Sequence, residues 1–216
     1  MFLLLNLSLP GACNFYNLSI RSKGEREITR PRLSGYPYDF AFTESRSGKF
    51  PSVGMLPFAS VADWYSKLGL NTRQTAETPV EKAIFSLLHL SRTDDYAEAV
   101  VWVFYALEAL VETRVGESIS TMVRRLSALL ELSDADTRRL NKRLRKLYDF
   151  RSSIVHGGYR VTHPIAQEVV DRKIQEDTGR AIDLYQFGFT LLLATIQSLI
   201  SKGWTSITYS EVIAGK

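Results

Sequence analysis

An arginine and a histidine, Arg151 and His156, stand five positions apart at the end of a basic segment, directly before Gly157-Gly158. An imidazole exchanges protons near neutral pH, and a guanidinium binds a phosphate through two parallel hydrogen bonds. Together, two such groups can hold a phosphodiester, move a proton at it and stabilise the charge that develops when it is cleaved.

The segment that leads to this pair is strongly basic. Between positions 138 and 151 it has seven Lys or Arg residues and one acid, Asp149, so its local net charge of +6 exceeds the +4 of the whole chain. The seven are Arg138, Arg139, Lys142, Arg143, Arg145, Lys146 and Arg151. Such a charge attracts polyanions and speeds their encounter, although a solvated face of an ordinary surface helix has the same pattern.

Helical phase places Arg151 in an unusual position. At about 100° per residue, Arg151 falls within an apolar stripe, whereas His156 falls on the far side. The stripe consists of Leu140, Leu144, Leu147 and Ile154. A buried guanidinium needs a carboxylate or a phosphate beside it, because an unpaired buried charge is very costly. Glu108, the one ionisable acid between positions 99 and 111, is the candidate partner. Two alternatives stay open: Glu108 points to water, or the stripe faces a second subunit.

Helix-start signals predict a helical domain over residues 59–216. Thr78 is followed by a proline and, three positions later, by Glu81, which is the pattern of a capping box. Other helix starts are predicted at Ser60, Thr93–Asp95, Ser118 and Ser133–Asp136.

Glycines mark the predicted ends of the later helices. The basic helix ends at Gly157-Gly158. A last long helix is predicted to begin between Pro164 and Val169 and to end near Gly203, with a break or kink possible at its two internal glycines, Gly179 and Gly188.

Residues 1–58 differ in composition from the rest. Five of the seven prolines lie there, and alternating runs over residues 14–20 and 36–42 are typical of extended chain. We predict a small β-rich or irregular N-terminal arm.

The composition limits which other functions the chain can have. With 45% hydrophobic and 23% charged residues the chain can bury a core. Cys13 is the only cysteine, so an internal disulfide and a cysteine-type zinc site are excluded. The three histidines form no ligand-spaced cluster, and no run reaches the ~20 apolar residues of a membrane span. We expect a cytoplasmic protein without a metal, a cofactor or a membrane partner.

The residues around Arg151 resemble the signature of HEPN domains, especially of the Apea-like branch. The shared pattern is an arginine, four residues and a histidine followed by glycine, within the segment Leu147–Gly157. The segment Ala106–Leu110 resembles the upstream helix of that branch, and Asp63–Tyr65 resembles its entry region. The resemblance covers roughly residues 60 to 204.

This resemblance implies an all-α domain, a HEPN-like antiparallel helical bundle that usually dimerises. Two such motifs then meet and form one composite, metal-independent ribonuclease site. We therefore expect a homodimeric endoribonuclease, a toxin or an antiviral-defence effector, with Arg151 and His156 as catalytic residues. Ser152 and Glu108 are the expected supporting residues; active members often have Asn, Asp or His where Ser152 stands. The N-terminal arm is a candidate to cover the site or to engage an antitoxin or a sensor.

The expected reaction is attack of the RNA 2′-OH on the adjacent phosphate, with a cyclic phosphate and a 5′-OH as products. The expected RNA-binding residues are Arg138, Lys142, Arg145, Lys146, Tyr159 and Arg160. Two alternatives remain. Some HEPN modules only bind nucleic acid, a nucleotide or a partner protein, and a plain helical interaction protein would keep Arg151 as a buried structural ion.

Overall fold

The chain is all-α in the part that the structure describes. This computed structural model describes residues 1–21, 23–24, 28–70, 73–113, 119–161, 163 and 171–210. Eight helices are found within these ranges: α1 (Phe2–Ser8), α2 (Tyr36–Arg46), α3 (Phe58–Lys67), α4 (Pro79–Leu90), α5 (Tyr96–Leu110), α6 (Ile119–Leu129), α7 (Asp134–Val155) and α8 (Arg172–Lys202). The all-α prediction is confirmed at this level.

The helices begin where capping side chains satisfy their free N–H groups. The hydroxyl of Thr78 accepts from the N–H of Glu81, whose carboxylate accepts from the N–H of Thr78, so the predicted capping box is confirmed. Asp95 caps α5 through its carboxylate, and the Ser133 hydroxyl accepts from the N–H of Asp136 at the start of α7. These caps were all within the predicted start segments.

The longest helix, α8, lies at the centre of the packing and contacts α2, α3, α5, α6 and α7. It runs without interruption through both internal glycines. A side chain at Gly188 would overlap Val103, so this glycine allows α5 and α8 to approach closely. The predicted start between Pro164 and Val169 lies outside the described residues, as does Ser118; α8 begins at Arg172 and ends at Gly203, which has a positive φ of 67°.

Two segments of the predicted N-terminal arm are helices. Residues 36–42 were predicted as extended chain, which was wrong, because they form the first part of α2. Pro37 stands in the first turn, where a missing N–H costs nothing, and Tyr38 and Ala41 are buried at helical spacing. Tyr38 packs edge-on against Phe189 of α8, with ring centroids 4.9 Å apart, so α2 shares the main core.

The extended reading of the loop between α1 and α2 holds only locally. Two isolated antiparallel bridges join Phe15 to Leu33 and Ile20 to Thr29. Apart from these two bridges, the described residues of this loop form no β-strand.

Although no membrane span was expected, α8 is long and apolar enough to cross a bilayer by length and composition. Of its most apolar stretch, 83% is buried inside the protein. A helix surrounded by neighbours on all sides needs an apolar surface on all sides, so burial in the core accounts for its composition.

Candidate functional site

The site is built on the C-terminal half of α7. Its buried face packs against α5, α6 and α8 through Leu140, Leu144, Leu147 and Phe150. The helix ends at His156, whose backbone N–H donates to the carbonyl of Ser152 at 3.0 Å. Gly157 follows with a φ of 75°, in the left-handed region that glycine adopts without strain. The predicted helix end is confirmed.

Arg151 lies at the edge of the core beside Glu108, the candidate partner named from the sequence. Its Nη2 is 3.7 Å from Oε2 of Glu108, and the two side chains are 28% and 35% exposed. The guanidinium carbon also lies 5.6 Å from the centre of the Phe104 ring. Both neighbours belong to α5, one helical turn apart. A separation of 3.7 Å is too long for a hydrogen bond, so Arg151 keeps N–H donors for another anion.

Two effects act in opposite directions on the pKa of the Glu108 carboxyl. Burial raises the pKa of Glu108, and the positive charge of Arg151 lowers it by a smaller amount. The net pKa is raised, so part of the electrostatic attraction is offset by desolvation. The pair is therefore a positioning contact for Arg151 more than a strong source of stability.

His156 is exposed at the end of α7. It follows Arg151 by five positions, which corresponds in a helix to a rise of about 7.5 Å and a rotation of about 140°. Within the described residues, no hydrogen bond or ion pair joins the imidazole to Arg151 or Glu108. The structure thus brings Arg151 and Glu108 together and places His156 apart from them, exposed at the helix end.

The segment after α7 folds back onto it. Ser152 is half-buried on the His156 side of the helix, and the N–H of Tyr159 donates to the carbonyl of Ser153 at 2.8 Å. The Tyr159 ring packs edge-on against Phe150, with centroids 5.5 Å apart, and burial raises its pKa. Tyr159 is therefore held against the protein and presents only part of its ring to a base, whereas Arg160 is exposed.

The exposed basic residues of α7 differ in what surrounds them. Arg138 and Arg145 are exposed, and Arg145 donates to its helix neighbour Asn141 at 3.1 Å. Lys142 and Lys146 instead line a groove of about 510 Å³ that α7 forms with α2 and α8. Sequence reasoning placed all four on one nucleic-acid surface and missed this groove, because its far wall comes from the segment interpreted as an arm.

The other histidines have separate surroundings. His89 stacks on Trp102, with ring centroids 4.2 Å apart and an angle of 2° between the rings, and His163 lies in the chain after α7. Among the described residues, no group of three or more His, Cys, Asp or Glu side chains is arranged to hold a metal ion.

Comparison with protein-family models, with curated proteins and with solved structures finds no match.

Proposed function

We propose that this chain is a HEPN-type endoribonuclease that cleaves RNA without a metal, as a toxin or an antiviral-defence effector. The observation that carries the proposal is the environment of one cation. Arg151 is half-buried between Glu108 and Phe104 at the end of a strongly basic helix, and an exposed histidine follows five positions later. A guanidinium held in this way, with N–H donors left over, is suited to bind a phosphate.

The reaction uses the nucleophile that RNA itself supplies. A base removes the proton of the 2′-OH, the oxygen attacks the adjacent phosphorus, and an acid protonates the departing 5′ oxygen. His156 acts as the base or the acid, since an imidazole exchanges protons near neutral pH. Arg151 binds the non-bridging oxygens and stabilises the negative charge of the pentacoordinate intermediate.

Helix geometry favours a site composed from two copies. The rotation of about 140° between the two side chains makes it difficult for one α7 to direct both at a single phosphate. Two copies related by a two-fold axis would supply both an acid and a base histidine. Exposed apolar side chains near Arg151 support an interface there: Tyr105 on α5 and Tyr148 and Val155 on α7.

Two neighbours assist without touching the reacting atoms. Glu108 orients Arg151, and Ser152 lies four positions before His156, hence on the same side of α7, where its hydroxyl can orient the imidazole. Arg138 and Arg145, both exposed, are the residues that we expect to contact the RNA backbone along the helix.

The alternative is a non-catalytic HEPN module that binds nucleic acid, a nucleotide or a partner protein. The separation of His156 from Arg151 within one copy favours it, since binding through a basic surface does not need the two to converge.

Cleavage of labelled RNA in EDTA separates the two functions. Wild-type protein should release fragments with 2′,3′-cyclic phosphate and 5′-OH ends, and His156→Asn, which keeps a polar side chain at the helix end, should not. Lys173→Gln is the control, because it removes an exposed cation that belongs to α8 and not to α7. Intact RNA with wild-type protein, or equal cleavage by His156→Asn, would exclude the nuclease.

A further inference from the structure

A groove between α2, α7 and α8 lies away from the Arg151–Glu108 pair. Lys142 and Lys146 line it from α7, and Arg151 lies about 140° to 180° around that helix from them. The opposite wall comes from α2 and the loop after it, through Phe40 and Phe50. The groove of about 510 Å³ falls within the range of pockets that hold one small ligand.

The cations of the groove divide into paired and unpaired ones. Arg143 donates to both oxygens of Asp183 at 2.8 and 2.9 Å, and Lys49 pairs with Glu44 at 2.5 Å. Arg139 pairs with Asp136 at 3.1 Å. These contacts neutralise much of the charge around the rim.

Lys142 and Lys146 have no acidic partner in the part of the chain that the structure describes. No carboxylate oxygen of a described residue lies within 4.0 Å of either ammonium group, and they stand one helical turn apart on the same side of α7. Two adjacent ammonium groups with no acid between them repel each other, and an anion with a charge near −2 relieves that repulsion. A phosphate group is the common biological anion of this charge.

The rest of the lining fits a flat ring. Phe40 and Phe50 are half-buried and offer apolar ring surface, whereas Phe187 is buried and covered by Arg143, whose guanidinium carbon is 4.5 Å from the ring centre. The side-chain amide of Gln186 forms no hydrogen bond with any described residue. It can therefore form hydrogen bonds with the polar edge of a bound heterocycle.

We infer that this groove is a second binding site, for a small phosphorylated ligand that has a flat ring, such as a nucleoside diphosphate. Lys142 and Lys146 bind the phosphates as point charges, and Phe40 and Phe50 contact the ring. The bound ligand touches both α2 and α7 and so braces the N-terminal segment against the helix that carries His156. A groove of about 510 Å³ bounded by α2, α7 and α8 suits a small ligand better than a continuous RNA strand, which extends over several nucleotides.

Isothermal titration calorimetry of the full chain with ADP, GDP and inorganic phosphate, in EDTA, tests this site. We expect at least one nucleotide to bind more tightly than phosphate alone. Lys142→Gln combined with Lys146→Gln should weaken that binding by about tenfold or more. Arg138→Gln combined with Arg145→Gln is the matched control: it removes the same charge from the same helix outside the groove, and should weaken binding by less than about threefold.

Three outcomes would overturn the inference. They are failure of wild-type protein to bind either nucleotide, equal losses in the two double variants, and phosphate binding as tight as nucleotide binding. Thermal unfolding of each variant without ligand checks the fold, since the substituted side chains are exposed on α7. His156→Asn should bind the nucleotide like wild type, so the result does not depend on whether the chain cleaves RNA.

Discussion

The two faces of α7 use positive charge in opposite ways. On one face a single arginine, Arg151, is half-buried, lies beside Glu108 at 3.7 Å and is covered by Phe104. On the other face Lys142 and Lys146 are exposed, have no acidic partner among the described residues, and line a groove. Both sets belong to the same basic segment of sequence, residues 138–151.

The difference shows why a count of charges does not locate a site. A half-buried guanidinium has few conformations and a defined direction, so it can take part in chemistry that depends on position. Exposed lysines act mainly through their field and their reach, so they contribute to affinity and encounter. We therefore expect changes at Arg151 and its neighbours to affect turnover, and changes at Lys142 and Lys146 to affect binding.

The largest expected effect is the loss of turnover when either member of the Arg151 and His156 pair is removed. Arg151→Ala and His156→Ala should each lower RNA cleavage by about a hundredfold or more, because each removes a group that acts in the transition state. Arg151→Lys should retain little of the cleavage activity, since an ammonium group cannot form the paired hydrogen bonds of a guanidinium. Single-turnover cleavage rates with saturating protein measure these losses. The comparison between the faces fails if Lys146→Gln slows the chemical step as much as Arg151→Ala does.

A core substitution should affect both faces together. Leu144 is fully buried on the side of α7 that packs into the bundle. Leu144→Ala should destabilise the protein by about 2 to 5 kcal/mol, because it removes apolar contacts and leaves a cavity. Urea denaturation followed by circular dichroism measures the change. Destabilisation below about 1 kcal/mol would show that α7 is not anchored by this face.

Particular residues show what sequence alone can and cannot predict here. The capping box at Thr78 and the helix end at Gly157 depend on neighbours within four positions, so local chemistry was sufficient. Glu108 could be named as a candidate partner of Arg151, because an apolar stripe must be buried and a buried cation needs an acid, but whether the two meet depended on how α5 packs against α7. The other features of the fold and of the site depend on packing between segments that are distant in the sequence.

Residues 36–42 show where prediction from the sequence fails. Their aromatic alternation is typical of a strand, but the burial of Tyr38 and Ala41 against the bundle stabilises a helix there. The groove could not be predicted for the same reason, since it exists only when α2 packs beside α7 and α8. Whether two copies of His156 converge depends on assembly, which the sequence of one chain does not determine.

The third prediction separates nucleic-acid binding from nucleotide binding. Arg138→Gln with Arg145→Gln should weaken binding of single-stranded RNA by about tenfold and reduce the slope of its salt dependence by about 1.4, since two phosphate contacts are lost. The same protein should bind a nucleotide in the groove almost unchanged. Fluorescence anisotropy of labelled RNA at several salt concentrations provides the slope. An unchanged slope would remove these two arginines from the RNA path.

The smallest expected effect concerns the pairing of Glu108 with Arg151. Burial raises the pKa of Glu108 in the folded protein, so the folded state binds more protons than the unfolded state between the two pKa values. The free energy of unfolding should therefore fall as pH rises through that window, and Glu108→Gln should remove this fall. Water screens a carboxyl that is about a third exposed, so the difference should stay under about 1 kcal/mol.

Denaturation of wild type and Glu108→Gln in parallel between weakly acidic and neutral pH measures that small difference, and RNA cleavage by the same variant shows what the pair is for. If Glu108 orients the guanidinium, Glu108→Gln should lower the cleavage rate while stability at neutral pH changes little, because an amide does not hold a cation in place as a carboxylate does. A wild-type cleavage rate would show that Phe104 and the packing of α7 position Arg151 without help from the acid.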